Sequence, residues 1–452
     1  MKITIAGAGE VGKHLSKVLA FDAHDVTVID VEEGELSNLS NHLDILTIKG
    51  SALSISILLE AKVSDCDLFI AVTHFPEMNV ASSVLAKKLG AKKTIARVRD
   101  PQLLEEKNIK LFNEIGIDSI IYPQALAARE ITKFVQETAT REFFDFAEGL
   151  LSLYVLKIEE DSPVIGKYLH EIVALQEDLE NFRIIMIKRD FSTMIPRGDD
   201  VCLPHDILYI ISNKKGSKSM LETFGRKKFA VNNIMILGAS RTGRATAKNL
   251  QNLFDVKLIE VNEARAKIIA NELTNVLVIN GDGRSTDLLV EEGIRNTDVF
   301  IATTGNSETN ILSCYLAKSV GVKRTIAEVE NFDYIALARD MGIDTVINKK
   351  TIAANSIHKY TLGEKTAITS SRYLTETEAQ VLEIFIQPGM KITEQQLKFL
   401  DFPRGAVIGG VVRGKDAFIP KGNTQIKNSD KVLVFAMSNA LNEVKKFFET
   451  DK

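Results

Sequence analysis

The feature of this 452-residue sequence that most limits its possible folds is a long internal repeat. A glycine-rich segment that begins at Gly7 returns 231 residues later, at Gly238, again after an apolar run. The segments Ile70-Ala71-Val72-Thr73 and Ile301-Ala302-Thr303-Thr304 match at the same spacing of 231 residues. Because separate landmarks share one register, the sequence predicts two copies of one unit.

Each copy is predicted to contain two domains. Near the end of each copy a turn at Pro196 or Pro420 is followed by an aspartate, Asp206 or Asp430. Each half therefore has the same two parts, a longer first domain and a shorter second one. The chain length agrees with this division, since domains have roughly 100–200 residues. We predict domains at residues 1–140, 141–228, 229–368 and 369–452.

Short apolar runs alternate with helical patterns in the first domain. The runs are often β-branched, as in buried parallel strands. The predicted strands are residues 3–6, 26–29, 45–48, 68–72 and 94–98, and the predicted helices are 11–21, 33–43, 53–61 and 78–89. This alternation indicates βαβ units, and hence an α/β fold with two doubly wound, Rossmann-type domains. A long helix over residues 123–140 is predicted to lead toward the small domain.

The shorter domain has a different pattern. Residues 151–158 alternate as in a strand, and residues 165–175 have the pattern of a short helix. Two further strands, at 183–188 and 207–211, flank the turn at Pro196. This pattern predicts that a small α+β domain follows each Rossmann-type domain.

A dinucleotide-binding pattern opens the first half. The segment is Gly7-Ala8-Gly9-Glu10-Val11-Gly12, directly after a predicted strand and at the start of a predicted helix. In such a turn the first glycine allows the tight bend, and the second lets the backbone approach a pyrophosphate. The third glycine lets the helix pack close to the sheet. The free amide groups and the dipole of the helix then face the phosphates.

Asp30 supplies the second part of this pattern, an acid about 20 residues after the glycine turn. Its carboxylate can accept hydrogen bonds from the ribose hydroxyls of adenosine. Asp30 is followed by Val31, Glu32 and Glu33, so no arginine is placed to hold a 2′-phosphate. The sequence therefore predicts a site for NAD(H) rather than NADP(H).

The second half departs from this pattern. Its segment is Gly238-Ala239-Ser240-Arg241-Thr242-Gly243, so Ser240 replaces the middle glycine. Glu260 fills the acid position if one residue is deleted from the register. The nearby cations Arg241, Arg244 and Arg284 could bind phosphate. Two interpretations stay open, a nucleotide site with altered preference or a relic that only supports the fold.

Composition and charge argue against several function classes. The net charge is −4, and the basic residues are not clustered as they are in nucleic-acid-binding proteins. No apolar run reaches the 18 or more residues of a membrane span. The three cysteines are far apart, which suits a reduced cytoplasm and predicts neither a disulfide framework nor a metal site.

An NAD-dependent oxidoreductase is the alternative that the residues leave open. Such an enzyme needs an acid–base residue near the cofactor. The small domains offer His170 and His205 in the first copy only, and the sequence after Ser371 contains no histidine or cysteine. His74 follows Thr73 near the predicted site and is interpreted as a loop residue rather than a proton shuttle. We therefore predict that the chain has no catalytic residues and is not an enzyme.

These motifs resemble those of the TrkA family, the regulatory subunits of Trk potassium-uptake systems. Each half of such a subunit is an RCK module, a regulator of potassium conductance. The resemblance covers essentially the whole chain. The motifs that carry it are Gly7 to Gly12, Val28-Ile29-Asp30, Ala71-Val72-Thr73, Asn79, Ile95-Ala96-Arg97-Val98-Arg99, Pro196-Arg197-Gly198 and Pro420-Lys421-Gly422.

The resemblance implies which residues contact the ligand, NAD or an adenine nucleotide such as ATP or ADP. Thr73 would lie beside the ligand, Arg97 would face the phosphates, and Ser51 and Ala52 would lie near the adenine. The implied residues of the second site are Gly238, Ser240, Arg241, Gly243, Glu260, Asp282 and Thr304. Glu328 stands where the first half has Arg97, so the second site departs from the family's pattern.

The resemblance also implies partners and a location. It implies a cytoplasmic protein bound at the cytosolic face of the inner membrane to the membrane subunit of a Trk-type potassium channel. It implies a homotetrameric ring of eight RCK modules in which nucleotide binding gates the pore. No nucleic-acid partner and no metal are expected.

Overall fold

The computed structural model describes residues 1–452 except 22–23, 139, 141, 175–180, 191, 227, 359, 362–367, 375–376 and 450–452. The chain divides into two compact units. One contains Met1–Thr132 and Val231–Gly363, and the other contains Lys133–Ala230 and Glu364–Lys452. Each unit therefore combines corresponding parts of the two halves. The four domain boundaries given above stay a prediction.

The first half opens with a parallel sheet of six strands. They are β1 (Lys2–Ala6), β2 (Asp25–Asp30), β3 (Leu46–Lys49), β4 (Leu68–Ala71), β5 (Lys93–Arg97) and β6 (Ser119–Ile121). The helices are α1 (Glu10–Phe21), α2 (Glu33–Ser40), α3 (Ile55–Glu60), α4 (Pro76–Leu89), α5 (Glu106–Glu114) and α6 (Pro123–Gln136). The strand order is β3-β2-β1-β4-β5-β6. This order confirms the doubly wound fold and places a ligand crevice where it reverses, at the carboxyl ends of β1 and β4.

The sequence-based prediction of this domain was incomplete in two places. Strand β6 and helix α5 were not predicted, because β6 has only three residues and α5 is polar on most of its faces. Helix α6 ends at Gln136, four residues before the predicted end, and part of the predicted remainder lies outside the described residues. The division between the two compact units falls within α6, after Thr132.

An antiparallel sheet follows in the first small domain. Its strands are β7 (Glu142–Phe146), β8 (Leu151–Lys157), β9 (Phe182–Arg189), β10 (Ser192–Met194) and β11 (Ile207–Asn213), in the order β10-β9-β11-β8-β7. The helices are α7 (Leu169–Ala174) and α8 (Ser217–Thr223). Helix α7 begins later than predicted, because Gly166 adopts a positive φ of 75° in a turn and Tyr168 bridges to Val201.

The second half repeats the parallel sheet. Its strands are β12 (Asn233–Leu237), β13 (Asp255–Glu260), β14 (Val276–Asn280), β15 (Val299–Ala302), β16 (Arg324–Glu328) and β17 (Thr345–Ile347). Its helices are α9 (Arg241–Leu250), α10 (Glu263–Glu272), α11 (Thr286–Glu291), α12 (Ser307–Ser319), α13 (Asp333–Asp340) and α14 (Lys349–His358). The order β14-β13-β12-β15-β16-β17 is the order of the first sheet, so the repeat in sequence is a repeat in structure.

The second small domain repeats the antiparallel sheet. It contains β18 (Ile368–Tyr373), β19 (Ala379–Phe385), β20 (Ala406–Arg413), β21 (Asp416–Phe418), β22 (Lys431–Met437) and α15 (Leu441–Lys446). The two small domains share one apolar core, in which Val155 and Ile185 of the first pack with Val381 and Phe435 of the second. Fold class is thus as predicted, with a small α+β domain after each Rossmann-type domain.

The repeated aspartates of the small domains have a structural role. Asp206 accepts two hydrogen bonds of 2.8 Å from Nε and Nη2 of Arg189. Asp430 accepts two of the same length from Arg413. Such bidentate pairs are specific in geometry as well as in charge. The first pair joins the end of β9 to the loop before β11. The second pair joins the end of β20 to the loop before β22.

The last helices of the two Rossmann-type domains contact the other domain. Helix α14 of the second domain packs on α1 of the first, where Ala353, Ala354 and Ile357 join the core around Leu15 and Leu19. Helix α6 approaches α9, since Asn249 Nδ2 donates a hydrogen bond of 3.3 Å to Thr132 Oγ1. Each helix that follows a glycine turn is therefore in contact with the other half.

Candidate functional site

The glycine turn between β1 and α1 is too crowded for side chains at two positions. Gly7 has a positive φ of 112°, and a Cβ there would lie 2.9 Å from the backbone nitrogen of Thr73. A Cβ at Gly12 would lie 1.8 Å from the carbonyl oxygen of Gly7. At Gly9 the nearest group is the ring of His74, with Nε2 3.2 Å from an added Cβ. The first and third glycines therefore shape the turn, as the sequence predicts.

Asp30 lies at the tip of β2 and holds the glycine turn. Ala8 N donates to Asp30 Oδ2, and Glu32 N donates to Oδ1 at 3.0 Å. Each carboxylate oxygen can accept more than one hydrogen bond. The carboxylate is thus oriented by the backbone and keeps acceptor capacity toward the crevice.

The residues after β3 lie next to the backbone of Asp30. Gly50 N donates to the carbonyl oxygen of Asp30 at 2.8 Å. Ser51 Oγ accepts from Leu53 N at 3.2 Å, and Ala52 is buried. The structure thus brings Ser51 and Ala52 to the same end of the sheet as Asp30.

A buried asparagine orders the strand ends on the other side of the crevice. Asn79 Oδ1 accepts from the backbone nitrogen and the hydroxyl of Thr73, at 2.8 and 2.7 Å. Its Nδ2 donates to the carbonyl oxygens of Thr73 and Arg97, at 3.2 and 2.9 Å. From the sequence, Asn79 was named only among the motifs that carry the family resemblance, and its role as the connector of β4 and β5 was missed.

Arg97, at the end of β5, carries a buried donor without a partner. Among the described residues no acceptor lies within hydrogen-bonding distance of its Nε. Burial and the neighbouring Arg99 lower the pKa of Arg97, while Glu330 opposes this. A buried donor without an acceptor is costly, so an anion beside Arg97 would be favoured.

The second Rossmann-type domain contains a cavity at the corresponding place. Its volume is about 310 Å³. Five of the predicted second-site residues line it, namely Gly238, Ser240, Glu260, Asp282 and Thr304. Arg241 is exposed on the first turn of α9 and Gly243 is buried there, and neither lines the cavity.

Glu260 takes the place of Asp30, as the proposed one-residue deletion requires. Glu260 pairs with Asn280 of the next strand, as Asp30 pairs with Lys49. Its Oε2 accepts from Ala239 N at 3.0 Å, and its Oε1 accepts from Asn262 N at 2.9 Å. Both hydrogen bonds have counterparts at Asp30.

The second site differs where a diphosphate would lie. Ser240 Oγ accepts from Gly243 N at 3.2 Å and so caps helix α9, which Gly9 cannot do in the first half. Glu328 is buried, and Lys349 Nζ lies 2.7 Å from its Oε1. Burial raises the pKa of Glu328, and the Lys349 charge opposes this. An acid therefore occupies the position that Arg97 has in the first half.

Two of the arginines suggested for phosphate binding are paired with acids. Arg284 Nη2 lies 2.7 Å from Asp282 Oδ2, and Arg244 Nη1 lies 3.5 Å from Glu272 Oε2. The hydrogen bonds from Arg284 lower the pKa of Asp282 to about 2. These pairs reduce the positive charge that is available to a phosphate.

Residues of the second half also border the first glycine turn. Lys350 on α14 donates to Glu10 and to the carbonyl oxygen of Glu330, and Phe332 stacks on His14 with ring centroids 5.0 Å apart. The sequence gave no sign of these contacts, because a helical pattern does not show which helix another one packs on.

In the part of the chain that the structure describes, no helix is long and apolar enough to cross a membrane.

Comparison with known proteins identifies the two kinds of domain. The TrkA-N domain matches residues 3–123 and 234–349, and the TrkA-C domain matches residues 153–225 and 381–449. Each is thus present twice, in alternation, in agreement with the internal repeat.

Relatives match over almost the whole chain. A Trk system potassium uptake protein TrkA homolog of Archaeoglobus fulgidus is 32% identical over 452 residues, which cover 99% of this chain and 100% of the relative. TrkA homolog 1 of Methanosarcina mazei is 31% identical, with coverage of 99% and 100%.

Solved structures show the same fold at low identity. The structure titled "GsuK channel bound to NAD" is 19% identical with a TM-score of 0.60, and the match covers 99% of this chain and 78% of that one. The GsuK RCK domain is 18% identical with a TM-score of 0.60, and coverage is 99% and 94%. The domain matches and the relatives together show that this chain belongs to the TrkA family.

Proposed function

We propose that this chain is a nucleotide-sensing regulatory subunit that gates a potassium-uptake channel. The names of its relatives, which describe Trk potassium uptake, support the process. The observation that carries the nucleotide part is the buried Nε of Arg97 at the end of β5, which has no hydrogen-bond partner among the described residues. The oxidoreductase alternative gains no support from the relatives.

The first crevice fits NAD(H), or an adenine nucleotide such as ATP or ADP. Asp30 would accept the ribose hydroxyls, and the turn from Gly7 to Gly12, with Ala8, Gly9, Glu10 and Val11, would hold the diphosphate. Arg97 would donate to the phosphates. Ser51 and Ala52 would border the adenine, and Thr73 would lie beside the ligand.

The second crevice would form a second ligand site. Its proposed residues are Gly238, Ser240, Arg241, Gly243, Glu260, Asp282 and Thr304. The preserved carboxylate geometry of Glu260 supports binding of a ribose. The capped turn and Glu328 argue that its ligand preference differs from that of the first site.

Gating requires that a ligand bind two conformations of the subunit with different affinity. Coupling free energies of about 1–3 kcal/mol are typical of such systems. The contact of each glycine-turn helix with the other half offers a path by which one site could affect the other. We propose a homotetrameric ring of eight RCK modules on the cytosolic face of the Trk-type membrane subunit.

Calorimetric titration of the full-length protein with NADH tests the nucleotide part. Asp30→Ala is expected to weaken NADH binding at least about tenfold, because the ribose loses its acceptor. Asp25→Ala is the matched control, since Asp25 is exposed at the opposite end of β2. An equal loss in both variants, or no binding of NADH, ADP or ATP to the unaltered protein, would reject the proposed site.

The partner is tested by coprecipitation from detergent-solubilised membranes. We expect the membrane subunit of a potassium channel to be recovered, and its potassium flux in vesicles to respond to NADH or ATP. Flux that is the same with and without the purified subunit would contradict a regulatory role.

A further inference from the structure

We propose that the second crevice binds a nucleoside that carries no 5′-diphosphate, so that the two Rossmann-type domains recognise different ligands. This inference rests on the proposed function, since it names the ligand class of the second site. It depends on three observations: a crevice of nucleoside size, a preserved ribose acceptor, and the loss of the groups that would hold a diphosphate.

The size of the cavity suits a nucleoside. Its volume of about 310 Å³ lies at the lower end of the range of about 300–1,000 Å³ for small-molecule sites. Its walls are the glycine turn at Gly238, the strand end at Glu260, and the loops at Asp282 and Thr304. These are the counterparts of Gly7, Asp30, Ser51 and Thr73, which would surround the adenosine part of a ligand in the first domain.

The ribose acceptor is preserved in spite of the change from aspartate to glutamate. The one-residue deletion before Glu260 and its longer side chain leave its oxygens bonded to Ala239 N and Asn262 N, as Asp30 is bonded to Ala8 N and Glu32 N. Glu260 is itself buried. A buried, oriented carboxylate with remaining lone pairs is a suitable acceptor for two adjacent hydroxyl groups.

The helix end that would bind a diphosphate is already satisfied. A diphosphate at a Rossmann glycine turn approaches the backbone at the middle glycine and accepts hydrogen bonds from the first amides of the helix. Ser240 places a side chain at this position, and its Oγ accepts from Gly243 N. A diphosphate would have to displace this cap, whereas a nucleoside would leave it in place.

The charges near the helix end also disfavour a diphosphate. The first half has Arg97 at the end of β5, and the second half has the buried carboxylate of Glu328 at the end of β16. Lys349 lies 2.7 Å from Glu328 and 2.6 Å from Glu330, so its charge is balanced by these acids. Arg284 is paired with Asp282, and Arg265, which also lines the cavity, lies 3.9 Å from Glu260. Arg244 is paired with Glu272 through Nη1 at 3.5 Å, although its buried Nε has no hydrogen-bond partner among the described residues. Arg241 is exposed, where solvent screens its attraction.

The test uses calorimetry on the full-length Asp30→Ala variant, in which ligand binding at the first site is expected to be at least about tenfold weaker. We expect adenosine to bind, and ADP to bind no more than about threefold more tightly than adenosine. Glu260→Ala in this background should remove binding of both. In the unaltered protein, ADP should bind the first site at least about tenfold more tightly than adenosine.

A gain of function completes the test. Ser240→Gly in the Asp30→Ala background removes the cap, and we expect it to raise the affinity for ADP about tenfold while adenosine binding stays the same. Glu328→Gln added to it should raise ADP affinity further. Melting temperatures check that each variant is folded. If the variant that also carries Glu328→Gln is not folded, the ADP affinity of the variant with Ser240→Gly and Asp30→Ala decides the test.

The outcomes separate this inference from the proposed function. If ADP binds the Asp30→Ala variant at least about tenfold more tightly than adenosine, the inference is wrong. If NADH binds the unaltered protein but the variant binds neither adenosine nor ADP, the second crevice is no ligand site, and only the nucleotide-sensing role of the first site stands. If the unaltered protein binds none of these ligands, the proposed function itself fails.

Discussion

Lys350 Nζ, on the last helix of the second Rossmann-type domain, lies 2.6 Å from Glu10 Oε2, on the first turn of the first domain's glycine-turn helix. The hydrogen bond from Lys350 lowers the pKa of Glu10. Lys350 is only 12% exposed, while Glu10 is 58% exposed. A cation from one half thus balances an acid beside the candidate phosphate position of the other half.

Loss of this cation should weaken nucleotide binding at the first site. Lys350→Met removes the nearer of two cations that pair with Glu10, the other being Lys13 at 4.0 Å. We expect a loss of about 0.5–1 kcal/mol in binding because Glu10 is largely exposed. NADH titration measures the effect, and Glu10→Gln in the same chain should restore affinity. A loss that is just as large in the Glu10→Gln background would show that Lys350 acts in another way.

Arg97 should affect phosphorylated ligands only. Arg97→Met removes the donor predicted to face the phosphates, so ADP affinity should fall by about tenfold or more, while adenosine affinity stays the same. Lys93→Met is the control, since Lys93 lies at the opposite end of β5. Equal losses for ADP and adenosine would argue that Arg97 supports the fold and does not contact phosphate.

Asn79 should matter for stability before it matters for binding. Asn79→Asp keeps the acceptor toward Thr73 but loses both donors, so the carbonyl oxygens of Thr73 and Arg97 are left without this partner. We expect a loss of about 2–3 kcal/mol, seen as a lower melting temperature. Asn310→Asp should cost a similar amount, because Asn310 makes the same contacts in the second half. An unchanged melting temperature in both variants would contradict this assignment.

Stability should fall with pH in a way that depends on His14. Burial lowers the pKa of His14 to about 4, with smaller contributions from Lys17 and Lys350. The unfolded chain has a histidine pKa near 6.5, so it binds the proton first, and stability is complete above about pH 6.5 and is lost progressively down to about pH 4. The loss at pH 5 should be about 2 kcal/mol.

The variant His14→Gln isolates this contribution. Melting temperatures of the two proteins, measured from pH 4 to pH 8, should diverge in slope below about pH 6.5, with the steeper fall in the unaltered protein. Parallel curves over the whole range would show that His14 has the same pKa in the folded and the unfolded chain, which contradicts the lowered pKa.

The Arg413–Asp430 pair should stabilise the second small domain. Arg413→Leu leaves the buried carboxylate of Asp430 without its bidentate partner, although Lys427 N still donates to it at 2.8 Å. We expect a loss of about 2–3 kcal/mol, at the low end for a broken buried pair because Arg413 is partly exposed. Arg189→Leu should act alike through Asp206. A melting temperature within error of the unaltered protein would contradict this role.

Local chemistry alone was enough to predict much of this protein from its sequence. The order of strands and helices, the glycine turn and the acid at Asp30 follow from periodicity and from backbone requirements that lie within a few neighbouring residues. The counterpart of Asp30 in the second half, Glu260, was also predictable. The internal repeat gave the alignment of the two halves, and deleting one residue from it brings Glu260 to the position of Asp30. The weak elements were missed, since β6 has only three residues and α5 is short and polar, with Phe112 as its one buried residue.

The packing between halves was decided only by the tertiary structure. The sequence places Lys349, Lys350 and Phe332 far from Glu10 and His14, and no local pattern indicates that α14 crosses to α1. The replacement of Arg97 by Glu328 is visible in the sequence, but the pairing of Glu328 with Lys349 is not. Such contacts join residues that are distant along the chain, and they depend on how buried helices fit together, which residue type and spacing alone do not determine.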